Sequence, residues 1–143
     1  MPMIRLTAPA GSLTEKGRAS VQRELAAALL RWERAPDLPF FRAQAWSYLI
    51  ELPEGTQTTA EDDEPRFLVE VTVPQGALDD ERRAGLVAEA TTTVLDAAGL
   101  SPDHAMRVWV LVNDQPEGTW GAGGNVIRFA DLVALAREQR AGA

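Results

Sequence analysis

Leu6-Thr7-Ala8-Pro9-Ala10-Gly11-Ser12-Leu13 and Val71-Thr72-Val73-Pro74-Gln75-Gly76-Ala77-Leu78 align without a gap at an offset of 65 residues, with Thr, Pro, Gly and Leu coincident. The same offset pairs Arg18 with Arg83, Glu24 with Glu89 and Leu30 with Leu95. An offset of 63 then pairs Trp46 with Trp109, and Pro53-Glu54-Gly55-Thr56 with Pro116-Glu117-Gly118-Thr119. Self-similarity at so long a period makes each copy one supersecondary unit whose apolar face needs a neighbour to cover it. The expected division is a first unit over residues 1–56, an acidic linker over 57–65 and a second unit over 66–143. The linker carries four acids, Glu61 to Glu64, and no apolar periodicity.

Each copy reads as strand, helix, strand. Phe67, Val69, Val71 and Val73 alternate with Leu68, Glu70 and Thr72, the period-2 pattern of a half-buried strand. A Pro-x-Gly break follows in both copies, then acids that suit the positive end of a helix, with Thr14 and Asp79 as candidate N-caps. Val21, Leu25, Ala28 and Leu29 in copy one, and Leu86, Ala90, Val94 and Ala97 in copy two, recur at helical spacing. Gly99 suits a helix C-cap. Arg107-Val108-Trp109-Val110-Leu111-Val112 reads as a strand buried on both faces. Strands joined through a helix pair in parallel with a right-handed crossover. The expected fold is therefore α/β (α+β): a tandem β-α-β repeat giving a four-stranded sheet, two helices on one face and a C-terminal helix from about Phe129 to Arg140.

Composition narrows the function classes. At 143 residues and 45% hydrophobic content the chain can bury one ordinary core. A net charge of -7 disfavours nucleic acid and anionic membrane surfaces as partners. With no cysteine and one histidine, His104, neither thiolate chemistry nor a histidine-based metal site is expected. No metal or cofactor is called for. Met1-Pro2-Met3-Ile4-Arg5 lacks the pattern of a signal peptide, and no run of about 20 apolar residues occurs, so a cytoplasmic protein is the expectation.

Pro2 at the head of an aliphatic strand, a glycine turn about nine residues on, and Trp120-Gly121-Ala122-Gly123-Gly124 after the last strand together resemble the tautomerase superfamily, its 4-oxalocrotonate tautomerase branch above all. Residues 67 to about 125 are similar to the short subunit of that branch along almost its whole length, and residues 2–55 match more loosely. The resemblance implies a homotrimer of fused units, with Pro2 as catalytic base and with Arg107 and Trp120 as substrate-binding residues. It implies a small carbonyl or carboxylate substrate.

The residue type supports that chemistry. With Met1 removed, Pro2 is a secondary amine, and an α-amino group titrates at roughly 7.7–8.0 before burial lowers it. Such an amine can take a proton from carbon and return it elsewhere on a conjugated system. Read as structure alone, Pro2 starts an edge strand where no N–H is needed, Arg107 is a snorkelling strand-end arginine and Trp120 packs an interface. Phe67 holds the Pro2 position in copy two and has no free amine. The short tautomerases carry an arginine just after the turn glycine, where Ser12 and Ala77 stand here. One arginine suits a single carboxylate better than a diacid. The alternatives are a proline-dependent dehalogenase or decarboxylase, with Glu51, Asp114 or Glu117 activating water, and a non-catalytic trimer if Met1 is retained. His104 is expected at the surface, Arg42, Phe40 and Phe41 near a pocket mouth with the phenylalanines packing, and Trp46 and Trp109 in the core or an interface.

Overall fold

Thr14 and Asp79 begin the two long helices of the computed structural model, which describes residues 1–142. Thr14 Oγ1 accepts from the Gly17 amide at 2.9 Å and Asp79 Oδ1 from the Arg82 amide at 2.8 Å, each satisfying a donor that the first helical turn leaves free. That amide bond holds the Asp79 carboxyl below its usual range. Helix α1 spans Glu15–Trp32, a short α2 spans Pro39–Ala43, and α3 spans Asp80–Ala98. The sequence reading had no counterpart for α2. Its five residues hold Phe41, 7% exposed, edge-to-face against the exposed Phe40 with ring centroids 5.3 Å apart.

The strands are β1 (Met3–Pro9), β2 (Trp46–Leu52), β3 (Phe67–Pro74) and β4 (Val108–Gln115). Their order in the sheet is β2-β1-β3-β4, with β1∥β2 and β3∥β4 parallel and the central β1–β3 pair antiparallel. A pseudo-twofold axis between β1 and β3 thus relates the two β-α-β units, as the repeat requires. Residues 53–66 carry no helix or strand. A hairpin, β5 (Trp120–Ala122) with β6 (Asn125–Ile127), follows β4, and α4 (Phe129–Ala141) closes the described chain.

The core lies between one sheet face and the helices. Ile4, Leu6, Val69 and Val71 from the sheet meet Val21, Leu25, Leu29, Leu86, Ala90 and Val94, all essentially inaccessible. The helices run antiparallel and touch at both ends through glycine. A Cβ on Gly17 would stand 2.1 Å from the Ala97 carbonyl oxygen, and one on Gly85 would stand 2.1 Å from the Trp32 ring. The carbonyl cannot yield, because it also accepts the Thr14 amide at 2.9 Å. Gly17→Ala is therefore expected to cost about 1–3 kcal/mol or more, read as a lower urea midpoint at unchanged slope.

Both long helices end in the same turn. The Leu100 amide reaches the Leu95 carbonyl at 2.9 Å and the Ala35 amide reaches Leu30 at 3.1 Å, the six-to-one bond of a Schellman motif. The left-handed residue is Gly99 (φ 68°) in α3 but Arg34 (φ 57°) in α1, where a side chain costs about 1–2 kcal/mol.

The strand alternation corrects the expectation that β4 is buried on both faces. Val108 is 7% exposed, and Val110 and Val112 pack on the core, whereas Trp109 is 66% and Leu111 48% exposed. Strand β4 is thus covered on one face only, and Val108 and Val110 belong to the helix side, not to the open face with Leu68 and the tryptophans. The run looked continuously apolar because both of its faces are apolar, one against helices and one not. Trp46, 57% exposed, likewise lies outside the core.

Candidate functional site

Pro2 precedes β1 and is buried, and its carbonyl accepts the Trp46 amide at 3.1 Å. Because Met3 pairs with Thr72 on the antiparallel β3, Pro2 stands beside the C-terminal end of that strand. A cleft of about 550 Å³ opens there. Met1, Glu33, Arg34 and Phe41 line it from copy one, and Pro74, Ala77, Phe129, Leu132, Arg137 and Arg140 from copy two. Phe129 packs its ring 3.4 Å from the Cβ position of Gly76, the glycine of the second repeat turn, and Arg140 Nη2 donates to the Arg34 carbonyl at 2.7 Å. These two contacts hold the ends of α4 over the cleft.

The electrostatics of the cleft are unusual for a surface. Burial lowers the Met1 amine below its ordinary range, against an opposing pull from Glu33. Burial pushes the Glu33 carboxyl up to about 7, with the amine and the Arg82 guanidinium drawing it back. Glu33 Oε1 is shielded from solvent and has no hydrogen-bond partner. A buried amine with a depressed pKa can act as a base near neutrality. Glu33 escaped the sequence reading because it lies just past α1, where a polar residue normally faces water. The signal available was its repeat partner, Ala98, which shows that the helix end does not require an acid there.

The expected site residues do not meet within one chain. Arg107 ends a 3₁₀ turn over Pro102–Arg107 and precedes Val108, which pairs with Phe67 at the start of β3. It is therefore at the opposite end of the sheet from Pro2, roughly 20 Å away at about 3.3 Å per residue. There it bonds Glu64 at 3.3 Å and borders a second cleft, about 320 Å³, with Arg66, Leu68, Met106 and Trp109. Trp120 stands partly exposed on the β5–β6 hairpin, which leaves β4 at the Pro2 end. His104, in the 3₁₀ turn, is partly exposed.

The three carboxylates weighed for water activation are each held by an arginine. Arg18 pairs Glu51 at 2.6 Å, Arg83 pairs Asp114 at 2.6 Å, and Arg128 approaches Glu117 at 3.9 Å. The first two are the same bridge in the two copies, tying each long helix to its second strand, and the Arg18 bond holds Glu51 below the usual carboxylate range. Among the described residues no group of three or more acidic, histidine or cysteine side chains could hold a metal. Among them no helix is long and apolar enough to cross a membrane.

Residues 68–130 match a family model described as Tautomerase enzyme. No curated protein matches by sequence. Among solved structures, Pt0534 inactivated by 2-oxo-3-pentynoate superposes with a TM-score of 0.73 at 22% identity, over 87% of this chain and 94% of that one. The F6 fused 4-OT wild-type asymmetric trimer gives 0.72 at 20%, over 94% and 99%. A macrophage migration inhibitory factor-like protein from Entamoeba histolytica gives 0.69 at 12%, over 88% and 98%.

Proposed function

We propose that this chain, a tautomerase-superfamily member related to 4-OT by the match of its second unit and the fold of the whole, is an isomerase that moves a proton in a small keto-enol or unsaturated keto acid. The observation that carries the reading is the burial of Pro2 at the head of β1, next to a cleft in which burial holds the Met1 amine below its ordinary range. With Met1 removed, the amine passes to the Pro2 ring, whose Cα lies about 3.8 Å along the chain. The free amine takes the hydroxyl proton of an enol, or a proton from the carbon next to the carbonyl of an unsaturated keto acid. The electron pair delocalises onto oxygen as an enolate or dienolate, and the protonated amine returns the proton to another atom of the conjugated system.

A cation near that oxygen stabilises the charge that develops on it. Arg107 is the proposed cation, and Trp120 the proposed wall of the site. Since Arg107 lies at the far end of its own sheet, it serves a Pro2 in a neighbouring subunit of a homotrimer. The trimeric assembly of the fused 4-OT proteins of like fold supports that arrangement. No cofactor enters this scheme.

The test is spectrophotometric ketonisation of 2-hydroxymuconate and of enol-phenylpyruvate by protein shown by mass spectrometry to lack Met1. Turnover of neither, above the rate of the heat-denatured chain, would sink the reading. Arg107→Ala is expected to lower kcat/KM by about 10- to 150-fold, the loss of one charged hydrogen bond of about 1.5–3 kcal/mol. An unchanged kcat/KM would remove Arg107 from the site.

A further inference from the structure

We propose that Arg66 and Gln57, from the two ends of the linker, are substrate-binding residues beside Arg107, and that the three form a subsite for one carboxylate on a substrate with an apolar body. The inference deepens the isomerase reading and rests on it for the reaction, while the binding it describes is measurable without turnover. Three observations converge on the cleft of about 320 Å³ at the far end of the sheet from Pro2.

The first is convergence. Arg66 and Arg107 both line this cleft, and both meet at Glu64: Arg107 Nη1 bonds its carboxylate at 3.3 Å and Arg66 Nη1 donates to its carbonyl at 2.8 Å. Arg66 Nη2 also pairs with Asp62 at 3.1 Å, which leaves the Arg66 Nε–H without a partner among the described residues. The second is a donor with nothing to bond. Gln57 Oε1 accepts the Arg66 amide at 2.9 Å, so the carboxamide is fixed in orientation and its Nε2 is turned away from that amide. Nε2 is shielded from solvent and has no acceptor among the described residues. A shielded donor in that state costs free energy until an acceptor reaches it, and Gln57 belongs to the cleft wall. The third is the repeat. Met1 stands at the copy-one position of Arg66, and Gln44 at that of Arg107, so the β-α-β unit folds without either cation. The pair is specific to one end of the sheet, the end that supplies Arg107 to a neighbour's Pro2 in the proposed trimer.

The rest of the lining selects the ligand. Thr7, Leu68 and Trp109 lie in one row across the open sheet face, and with Met106 they border the cleft, a surface suited to a flat apolar body. Charge selects further. Asp62 and Glu64 balance the two guanidiniums, and Asp63, bonded by Thr58 at 2.7 Å, adds a further negative charge nearby. A second carboxylate, or a phosphate dianion, therefore meets acids that already hold the arginines. A single carboxylate is received by the remaining arginine N–H groups and by Gln57. The linker is built to present these donors: the Asp62 amide donates to Thr59 Oγ1 and the Thr59 amide to the Asp62 carbonyl, each at 2.9 Å. Glu64 competes with the substrate for Arg107, so its removal acts in the opposite sense to the removal of Arg66.

The probes are sorbate and trans,trans-muconate, which carry one and two carboxylates on the same conjugated chain and neither a ketone nor an enol. Sorbate is expected to quench the tryptophan fluorescence of the parent protein and to shift the Gln57 side-chain amide pair in a ¹H–¹⁵N spectrum, the pair being assigned by its loss in Gln57→Glu. Muconate should bind about tenfold more weakly, or worse. Arg66→Ala should raise the sorbate Kd and the KM for enol-phenylpyruvate together by about tenfold or more, the loss of a hydrogen bond to a charged group, with kcat little changed. Glu64→Gln removes an exposed acid from Arg107 and should lower both by about two- to fivefold, a gain that a packing defect does not imitate. Sorbate that leaves the Gln57 pair unmoved, muconate that binds more tightly than sorbate, or a Kd and KM indifferent to both variants overturns the linker subsite and leaves the isomerase reading standing. Sorbate binding with the expected dependence on Arg66 and Glu64, in a Met1-free protein that ketonises neither enol, ends the isomerase reading and keeps the carboxylate subsite.

Discussion

A loss of about 10²- to 10⁴-fold in kcat/KM for ketonisation is expected when the residue-2 nitrogen cannot act as a base, the range that a positioned general base supplies. Protein in which Met1 is retained provides the cleanest case. Its residue-2 nitrogen is an amide with no basic lone pair, and the amine belongs to Met1, displaced by one residue within the cleft. Pro2→Ala is a milder change, because the processed variant still ends in a primary amine. That amine is free to rotate about its N–Cα bond, whereas the proline nitrogen is fixed in its ring; the bond from the Trp46 amide to the residue-2 carbonyl is available to both. Activity in Pro2→Ala should thus fall between the parent and the Met1-bearing form. Equal activity in all three would show that the proton is moved by some other group.

The legibility of this chain came from duplication. A single copy of Val-Thr-Val-Pro-Gln-Gly-Ala-Leu is a strand ending in a turn. Two copies at a fixed offset made a sheet, because each predicted unit left an apolar face that the other could meet. Thr14, Asp79 and Gly99 marked helix ends with local chemistry, and the helical stripes named residues that are buried in the core. What escaped the sequence depended on which face of a strand meets the helices. In β4 both faces carry Val, Trp or Leu, so composition could not assign Val108 and Val110, and only the register with Phe67 and Val69 did so. The Glu33 cleft was illegible for a related reason. It forms where the ends of α1 and β3 and the whole of α4 converge, and no local pattern announces a meeting of segments so distant in the chain. Family resemblance pointed to Pro2, Arg107 and Trp120 and to a site shared between neighbouring units of a homotrimer, and the register sets Arg107 and Pro2 at opposite ends of one sheet.

That separation makes the proposed trimer the property most exposed to a surface mutation, and Trp109→Glu is expected to reduce it from three times the 15.5 kDa chain mass to a single chain in light scattering. The open sheet face is ordered in rows across the strands: Trp46, Met3, Thr72 and Asn113; Tyr48, Arg5, Glu70 and Leu111; Ile50, Thr7, Leu68 and Trp109. Its centre is closed by the Arg5–Glu70 bridge at 2.8 Å, and its two edges carry Trp46, Tyr48 and Ile50 on one side and Trp109 and Leu111 on the other, each at least 40% exposed. Nothing within the described chain covers these edges, since α4 lies on the helix side against Glu33, Phe41 and Ala77. Apolar surface gathered on one face in this way marks an interaction site, and three sheets facing a common axis would bury it with closed symmetry. A carboxylate at position 109 would be desolvated in every subunit, at several kcal/mol per copy, even with Arg66 and Arg107 bordering the same cleft. The same variant should lose ketonisation activity, because Arg107 then no longer reaches a neighbour's Pro2. A Trp109→Glu protein that remains trimeric, or a parent that is monomeric at micromolar concentration and still turns over substrate, would refute both the buried interface and the site shared across it.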